Sequence, residues 1–542
     1  MMDNPRLLIY AAGIVFLTFL VWQSQSAKQP SGTRRPPSPK YGLPILGHIL
    51  LIPRVHSWLK FATWSEQLGP IVGFRIFGRE NIVISTEKIA NDLLRERGTL
   101  YSSREHLTMA ADFLSDNLRP LLMGYTERWR RGRKLMHRLT MTNAANSYQP
   151  MQSLESKRML YDLLRDPSQY ELWFERYASG LIFRIGYGKT VTTGQEEHVR
   201  KALHIVHTVE RIASPNSYLV DSLTILKYLP KWLAPFKREG ELLHHAELQF
   251  FRTLISDVRA EIKAGVAGPS FARTWLEDKE SYGLTDDEAA YVIGTLFEAG
   301  SGTTASAMMS FILAMVLYPQ WQQAMCDEIE SVVGDRMPEF DDVPNLPVSR
   351  AVMKEVLRWR PVTAGGVPHQ LVEDDVYNGY FFPKGTTVHA NQWAIHRDPE
   401  LYPDPETFNP DRWLNPSFPT YKEPMTKYPT LQNFSAFGFG RRICPGMNIA
   451  ERSLYILPPR VIWACRIMPK QDQNGNAIMP PLYDYTSGFN TQPNPFPFHL
   501  ESRSEQRQKA VEDAWEDAQR EDPLTWTMHY KLGHSLGDGS QS

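Results

Sequence analysis

Cysteine is scarce in this chain: three in 542 residues, an odd number that excludes a disulfide framework and points to a reducing compartment. Net charge is nearly absent as well. Lys and Arg number 59 against 60 Asp and Glu, a formal charge of −1, so the electrostatic footprint of a nucleic-acid binder is missing. Residues 45–500 contain no repeat, no low-complexity tract and no linker-like stretch, and no H-E-x-x-H or cysteine pair offers a zinc site. The His244-His245 pair, on an amphipathic helical pattern, stands alone. What the chain does have is length enough to bury a large core and enclose a cofactor. It also has 40 prolines, about 7% against a usual ~5%, which interrupt its elements with turns.

One long apolar run lies near the start. Leu7 to Trp22 is 16 residues without a charge. As a helix it would be about 24 Å long, slightly short of the ~27 Å core of an endoplasmic-reticulum bilayer. With Arg6 snorkelling and Gln23 and Ser24 in the interface, a transmembrane helix is feasible. Lys28, Arg34, Arg35 and Lys40 follow, and the positive-inside rule places that side in the cytosol. A cleaved signal peptide, cut near Ser24, Ser26 and Ala27, is the competing reading. The lack of a secretory disulfide pattern favours the anchor. Residues 1–24 are thus expected to hold the chain in the endoplasmic-reticulum membrane, in contact with lipid. Residues 25–44, with Pro36, Pro37 and Pro39, are expected to form a stiff extended spacer. A catalytic domain over 45–503 and a charged tail over 504–542, a solvated helix or disordered end, complete the expectation.

Within the domain the pattern is mainly α with small β-sheets. Ile71–Phe77 and Asn81–Ser85 read as a hairpin around Gly78-Arg79-Glu80. Ile329–Val333 and Ser349–Arg358 have helical periodicity. The clearest helix begins at Thr285, where Thr285 and Glu288 spell a capping box, and Pro319 stops it after about 33 residues, roughly 50 Å.

The strongest chemical signal is Phe437-Gly438-Phe439-Gly440-Arg441-Arg442-Ile443-Cys444-Pro445-Gly446. Its pattern, F-x-x-G-x-R-x-C-x-G, should arise by chance on the order of once in ten thousand chains this long. It resembles the haem-binding loop of the cytochrome P-450 superfamily. Further motifs follow in that family's order: Trp129-x-x-x-Arg133, Ala299-Gly300-Ser301-Gly302-Thr303-Thr304, Glu355-x-x-Arg358, and the stretch from Pro405 to Arg412. The resemblance covers roughly residues 40–500.

That resemblance implies the cytochrome P-450 fold and haem b, with Cys444 as the axial thiolate that pushes electron density onto iron and favours O–O cleavage. It implies that Gly440 and Gly446 let backbone N–H groups approach the sulfur and that Phe437 shields it. Arg442, Trp129, Arg133 and His369 would hold the haem propionates. Glu355, Arg358 and Arg412 would form a buried charge network with a structural role. Cys326 and Cys465 lack such surroundings and read as packing residues.

In the long helix, Gly300 would open space for dioxygen and Thr303, beside Thr304, would relay protons. The departure is Gly302, where the family usually has an acid. Glu298 is a full turn away and does not replace it by spacing alone, so waters or a substrate hydroxyl are expected to complete the relay. Gly300-x-Gly302-x-x-Ala305 also satisfies the fingerprint of an NAD-dependent dehydrogenase, but it follows a helical capping box where a strand should stand.

The implied reaction inserts one oxygen atom from dioxygen into an apolar small molecule. NADPH supplies electrons through NADPH–cytochrome P-450 reductase, and the basic stretch 128–138 is a candidate dock for that partner. A haem-thiolate isomerase, or a haem protein that only binds a ligand, is the alternative. Leu107–Arg119, residues 205–235, Val362–Val367 and Thr486–Asn490 are expected to wall the substrate pocket. LFEAGSGTTA, RWRPVTAGGVPH and FGFGRRICPG look like the fungal branch that tailors polyketides, terpenoids and alkaloids, including enzymes similar to O-methylsterigmatocystin oxidoreductase.

Overall fold

The computed structural model describes residues 13, 29–44, 46–214, 217–421, 431 and 434–522. The expected span Leu7–Trp22 lies outside the described residues apart from Gly13. Among the described residues one helix is long and apolar enough to cross a membrane, Asp286–Leu317, and 78% of its apolar window is buried inside the protein. A helix that is apolar all round and surrounded by protein is a core element.

The longer helices are α1 (Ser57–Leu68), α2 (Glu127–Thr140), α3 (Gln149–Arg165), α4 (Tyr170–Tyr187), α5 (Glu197–Ala213), α6 (Pro235–Lys263), α7 (Asp286–Leu317), α8 (Pro319–Val333), α9 (Pro347–Trp359), α10 (Met447–Ala464) and α11 (Glu505–Glu521). Helix α7 organises the rest. The expected capping box forms: Thr285 Oγ1 accepts the Glu288 N–H at 3.2 Å, and the Glu288 carboxylate accepts the Thr285 N–H at 2.8 Å. Pro319 opens the next helix directly after Tyr318. Helix α4 packs along α7 through Phe183 and Phe297, whose rings lie 4.5 Å apart. The Phe251 ring of α6 sits where a side chain at Gly294 would be, 2.6 Å from a notional Cβ.

Strands are short. β1 (Ile71–Ile76) and β2 (Arg79–Ile84) join β6 (Thr387–Ala390) and β3 (His369–Gln370) in one sheet, β4 (Asp375–Tyr377) pairs with β5 (Tyr380–Phe382), and β7 (Cys465–Gln471) lies between β8 (Ala477–Ile478) and β9 (Phe498–Ser502). The hairpin turn is Phe77-Gly78, with φ +46° and +77°, rather than Gly78-Arg79-Glu80. Positive φ at both centres is what a two-residue type I′ loop, which matches strand twist, requires. Arg79 and Glu80 are thereby freed to join the ladder, where Glu80 pairs with Arg75 and Arg35 at 2.7 and 2.9 Å.

Two expectations about the ends change. The described part of the spacer, 29–44, is laid against the sheets: Gly73 donates its N–H to Pro37 at 2.8 Å, and Arg34 bridges to Tyr380. The tail is helical as far as Glu521, but it is docked, with Val511 fully buried and Ala518 8% exposed. Just past it Asp522 receives a bidentate pair from Arg184 of α4 at 2.8 and 2.9 Å, with both side chains almost fully buried. Spacing and charge alone could not reveal this, because the acceptor is 338 residues away. Replacing Asp522 by alanine is expected to cost about 3–5 kcal/mol, the usual penalty for stranding a buried charge. Denaturant unfolding of the two proteins measures it; equal midpoints would mean the tail adds nothing.

Candidate functional site

The Cys444 loop runs into the N-terminus of α10. Cys444 donates its backbone N–H to the Phe437 carbonyl at 2.8 Å, which closes the loop on itself. Burial pushes the Cys444 thiol up, while the N–H groups of Gly446 and Met447, and Arg133, act to stabilise the thiolate. A Cβ on Gly446 would sit 4.0 Å from the sulfur, so this glycine leaves the backbone open toward it. Gly440 does something else. Its φ is +55°, and a Cβ there would meet the Leu94 carbonyl oxygen at 2.1 Å, so it permits close packing on residues 94–95 rather than approach to sulfur.

Cys444 lines a cavity of about 360 Å³, within the range of small-molecule sites. Phe437, Gly446, Arg442, His369, Gly300, Thr303 and Thr304 line it too. Gly300 also has a packing reason, since a Cβ there would press on Ile182 of α4 at 3.0 Å. At Gly302 a Cβ would meet nothing within 4 Å. Thr303 spends its hydroxyl on the Ala299 carbonyl at 2.9 Å. The fingerprint around Gly300 lies inside uninterrupted helix, so the strand–turn–helix of a dinucleotide site is absent there.

Three arginines and a histidine converge beside the loop. Arg442 donates to the carbonyls of Ser102, Pro120 and Met123, and stacks 4.2 Å above the Trp129 ring. Arg133 donates to the Ile443 carbonyl at 2.6 Å. Arg104, which the sequence reading missed, donates to Val367 and Pro368 carbonyls at 2.7 and 2.8 Å, and its Nε has no partner. The His369 Nδ1–H donates to Tyr101 at 2.7 Å. No carboxylate among the described residues pairs with any of the four. Burial, and for some the neighbouring cations, pushes Arg104 down to about 9, Arg442 down to about 8 and His369 well below its usual range. Buried cations with no counter-ion call for an anionic ligand. The arginines would fit the two carboxylates of haem, whose iron the Cys444 thiolate would ligate.

Glu355, Arg358 and Arg412 meet in a separate buried cluster. Arg358 grips Glu355 at 2.9 and 2.8 Å, and Arg412 Nε reaches it at 3.3 Å. Two further donors complete it, Trp413 Nε1 at 3.1 Å and the Asn409 N–H at 2.9 Å.

The expected pocket walls are only partly right. Val362, Thr363, Val367, Val206, Val209, Phe489 and Asn490 line the cavity; Leu107–Arg119 does not, and Leu121 stands in its place. Residues 107–114 instead pack into a satellite cluster with Val209 and Ile212. At the cavity wall Asn490 donates to Glu210 at 2.9 Å, and burial raises that carboxyl.

A mostly helical domain that sets one of its three cysteines, with backbone N–H groups and unpaired cations around it, at a cavity beneath its longest helix defines a thiolate-ligated cofactor enzyme. The chain belongs to the cytochrome P450 family, whose model matches residues 36–497. It is 34% identical to cytochrome P450 monooxygenase virE of Hypocrea virens, over 95% of this chain and 94% of that protein. It is 36% identical to cytochrome P450 monooxygenase fogE of Aspergillus ruber, over 89% of each. A zebra fish cytochrome P450 solved with abiraterone has the same fold, with a TM-score of 0.66 at 22% identity, over 82% of this chain and 100% of the other. The protein is therefore an oxidoreductase of the monooxygenase type, and the family implies haem held by a cysteine thiolate.

Proposed function

We propose that this chain inserts one oxygen atom from dioxygen into an apolar small molecule, as a tailoring step in fungal polyketide, terpenoid or alkaloid metabolism. The observation that carries the reading is Cys444 and the Thr303 helix lining one cavity, with the unpaired Arg104, Arg133, Arg442 and His369 beside it. Cys444 would ligate the iron, and the three arginines would neutralise the propionates, with His369 beside them. Haem, when bound, supplies the reductive activation of dioxygen: two electrons and two protons turn O2 and a C–H bond into C–OH and water.

The chain's own residues orient and exclude. Apolar walls such as Leu121, Ile182, Val362 and Phe489 keep bulk water out and present one carbon of the substrate. Glu210 and Asn490 offer the few polar contacts that fix its direction. Thr303 can hold a proton at Oγ1 next to the cavity.

NADPH–cytochrome P450 reductase is the electron donor in this reading. Arg130, Lys134, His137 and Arg138 are exposed on α2, behind the cysteine loop, and would meet an acidic partner. The endoplasmic-reticulum membrane is the proposed location. Exposed apolar side chains, Tyr41, Leu50, Ile225, Tyr228 and Trp232, support it. Their segments flank the β1–β2 hairpin, to which Gly47 and Asp221 both bond.

The test is the absorbance of the reduced, CO-bound protein, expected near ~450 nm for thiolate ligation. Substrate-stimulated, reductase-dependent NADPH oxidation then separates a monooxygenase from an isomerase, which needs no external electrons. Comparing metabolites after gene deletion identifies the substrate.

A further inference from the structure

Helix α7 has glycine where its family usually carries an acid, yet one turn earlier it carries Glu298. That side chain is 10% exposed and lines the cavity with Ala299, Gly300 and Thr303. Its Oε2 pairs with Arg119, while its Oε1 is buried with no hydrogen-bond partner. Arg119 is itself 1% exposed and shared, for its other nitrogen pairs with Glu247 of α6. Glu247 and Glu298 thus share one guanidinium, and the charge of Glu247 raises the Glu298 carboxyl.

The contacts continue outward. Tyr291 donates its hydroxyl to Glu247 Oε2 at 2.9 Å. His244 Nδ1 lies 2.9 Å from that hydroxyl and 3.1 Å from the Leu114 carbonyl, so the network assigns the proton to Nδ1. His244 is only half-buried, and Glu247 forms part of the wall of a second cavity of about 990 Å³ between α5 and α6. His244, Tyr291 and Glu247 thus form a hydrogen-bonded line that ends at the Arg119 guanidinium shared with Glu298.

Charge explains why a proton resides there. One guanidinium faces two carboxylates, so with both ionised the buried cluster would carry one uncompensated negative charge. Desolvation pushes Glu298 up to about 8, with Arg119 opposing and Glu247 adding to the shift. From α4, the buried and unpartnered Tyr187 hydroxyl lies within the field of the same carboxyl. Glu298 is therefore protonated at neutral pH and loses its proton as pH rises through about 8.

We propose that Glu298 holds, at Oε1, the proton consumed in the cavity, and that His244, Tyr291 and Glu247 replace it from solvent. This rests on the monooxygenase reading above. Each proton given up leaves Glu298 as a carboxylate. It is reprotonated from Glu247, Glu247 from Tyr291, and Tyr291 through His244 from solvent. The device takes over the task of the acid missing at position 302.

The experiment uses the holoenzyme. At pH 7 its infrared spectrum should contain a protonated-carboxyl C=O band that fades as pH passes about 8 and is absent in Glu298→Gln. In that variant the fraction of NADPH electrons reaching product should fall on the order of 10²-fold. Adding Gly302→Asp, where the backbone has open space, should restore it. Tyr291→Phe should keep the band yet enlarge the solvent isotope effect, and it decides the matter if Glu298→Gln fails to fold. An infrared spectrum unchanged by Glu298→Gln, coupling equal to wild type, or no rescue by the aspartate would overturn the proposal. The ~450 nm band is read separately, so its absence rejects the monooxygenase reading while the infrared result still reports on Glu298.

Discussion

Cys444→Ala should yield a folded protein that takes up no haem and lacks the reduced, CO-bound band near ~450 nm. The expected loss is complete because nothing else in the cavity can substitute. The other two cysteines are buried elsewhere, Cys326 on α8 and Cys465 at the start of β7. The imidazole lining the cavity, His369, is tied to Tyr101 and lies beside Arg104 and Arg442. Folding itself should survive, since the loop is closed by the Cys444 backbone N–H and Phe437 carbonyl, which alanine retains. A variant that kept the wild-type spectrum would refute the assignment of the ligand. Circular dichroism on the same sample distinguishes loss of the cofactor from loss of the fold.

Glu355→Gln should have the second largest effect, on stability. Glu355 accepts from Arg358, Arg412, Trp413 and Asn409, and it is fully buried together with both arginines. Glutamine keeps the shape but removes the only charge that balances two guanidinium groups in this cluster. Breaking a buried pair on one side typically costs about 3–5 kcal/mol. Much of the chain's net stability, commonly ~5–15 kcal/mol, would then be gone. Denaturant unfolding of the holoprotein should register the loss as an earlier midpoint with an unchanged slope. A midpoint equal to wild type would mean the arginines are satisfied by carbonyls alone, Pro405, Thr407 and His396 for Arg358 and Pro403, Asp404 and Thr407 for Arg412.

The sequence made some of this legible for identifiable reasons. Helix α7 could be bounded because its capping box and stop signal are local, and local chemistry fixes local structure. The cysteine loop could be found because several residue types recur at fixed spacing around one sulfur. The roles of individual glycines were harder. Gly440 answers to the backbone of residues 94–95 and Gly300 to Ile182, partners more than a hundred residues away that no window of sequence contains. Arg104 was missed because an arginine among serines and an acid looks like any surface loop. Only folding buries it against the Val367 and Pro368 carbonyls. The Glu298 cluster is similar, since its four other members come from two other parts of the chain, Arg119 and α6, and from the preceding turns of α7.

The docked tail bears on biosynthesis. Arg184 leaves the ribosome 338 residues before Asp522, a wait of roughly 20–70 s at about 5–20 residues per second. During that interval one of its two carboxylate partners, Glu155, is already in place, and the other has not been made. Arg184 gains its second carboxylate only after the last helix has emerged. A chain stopped shortly after residue 503 therefore keeps every catalytic residue but leaves Arg184 with Glu155 alone.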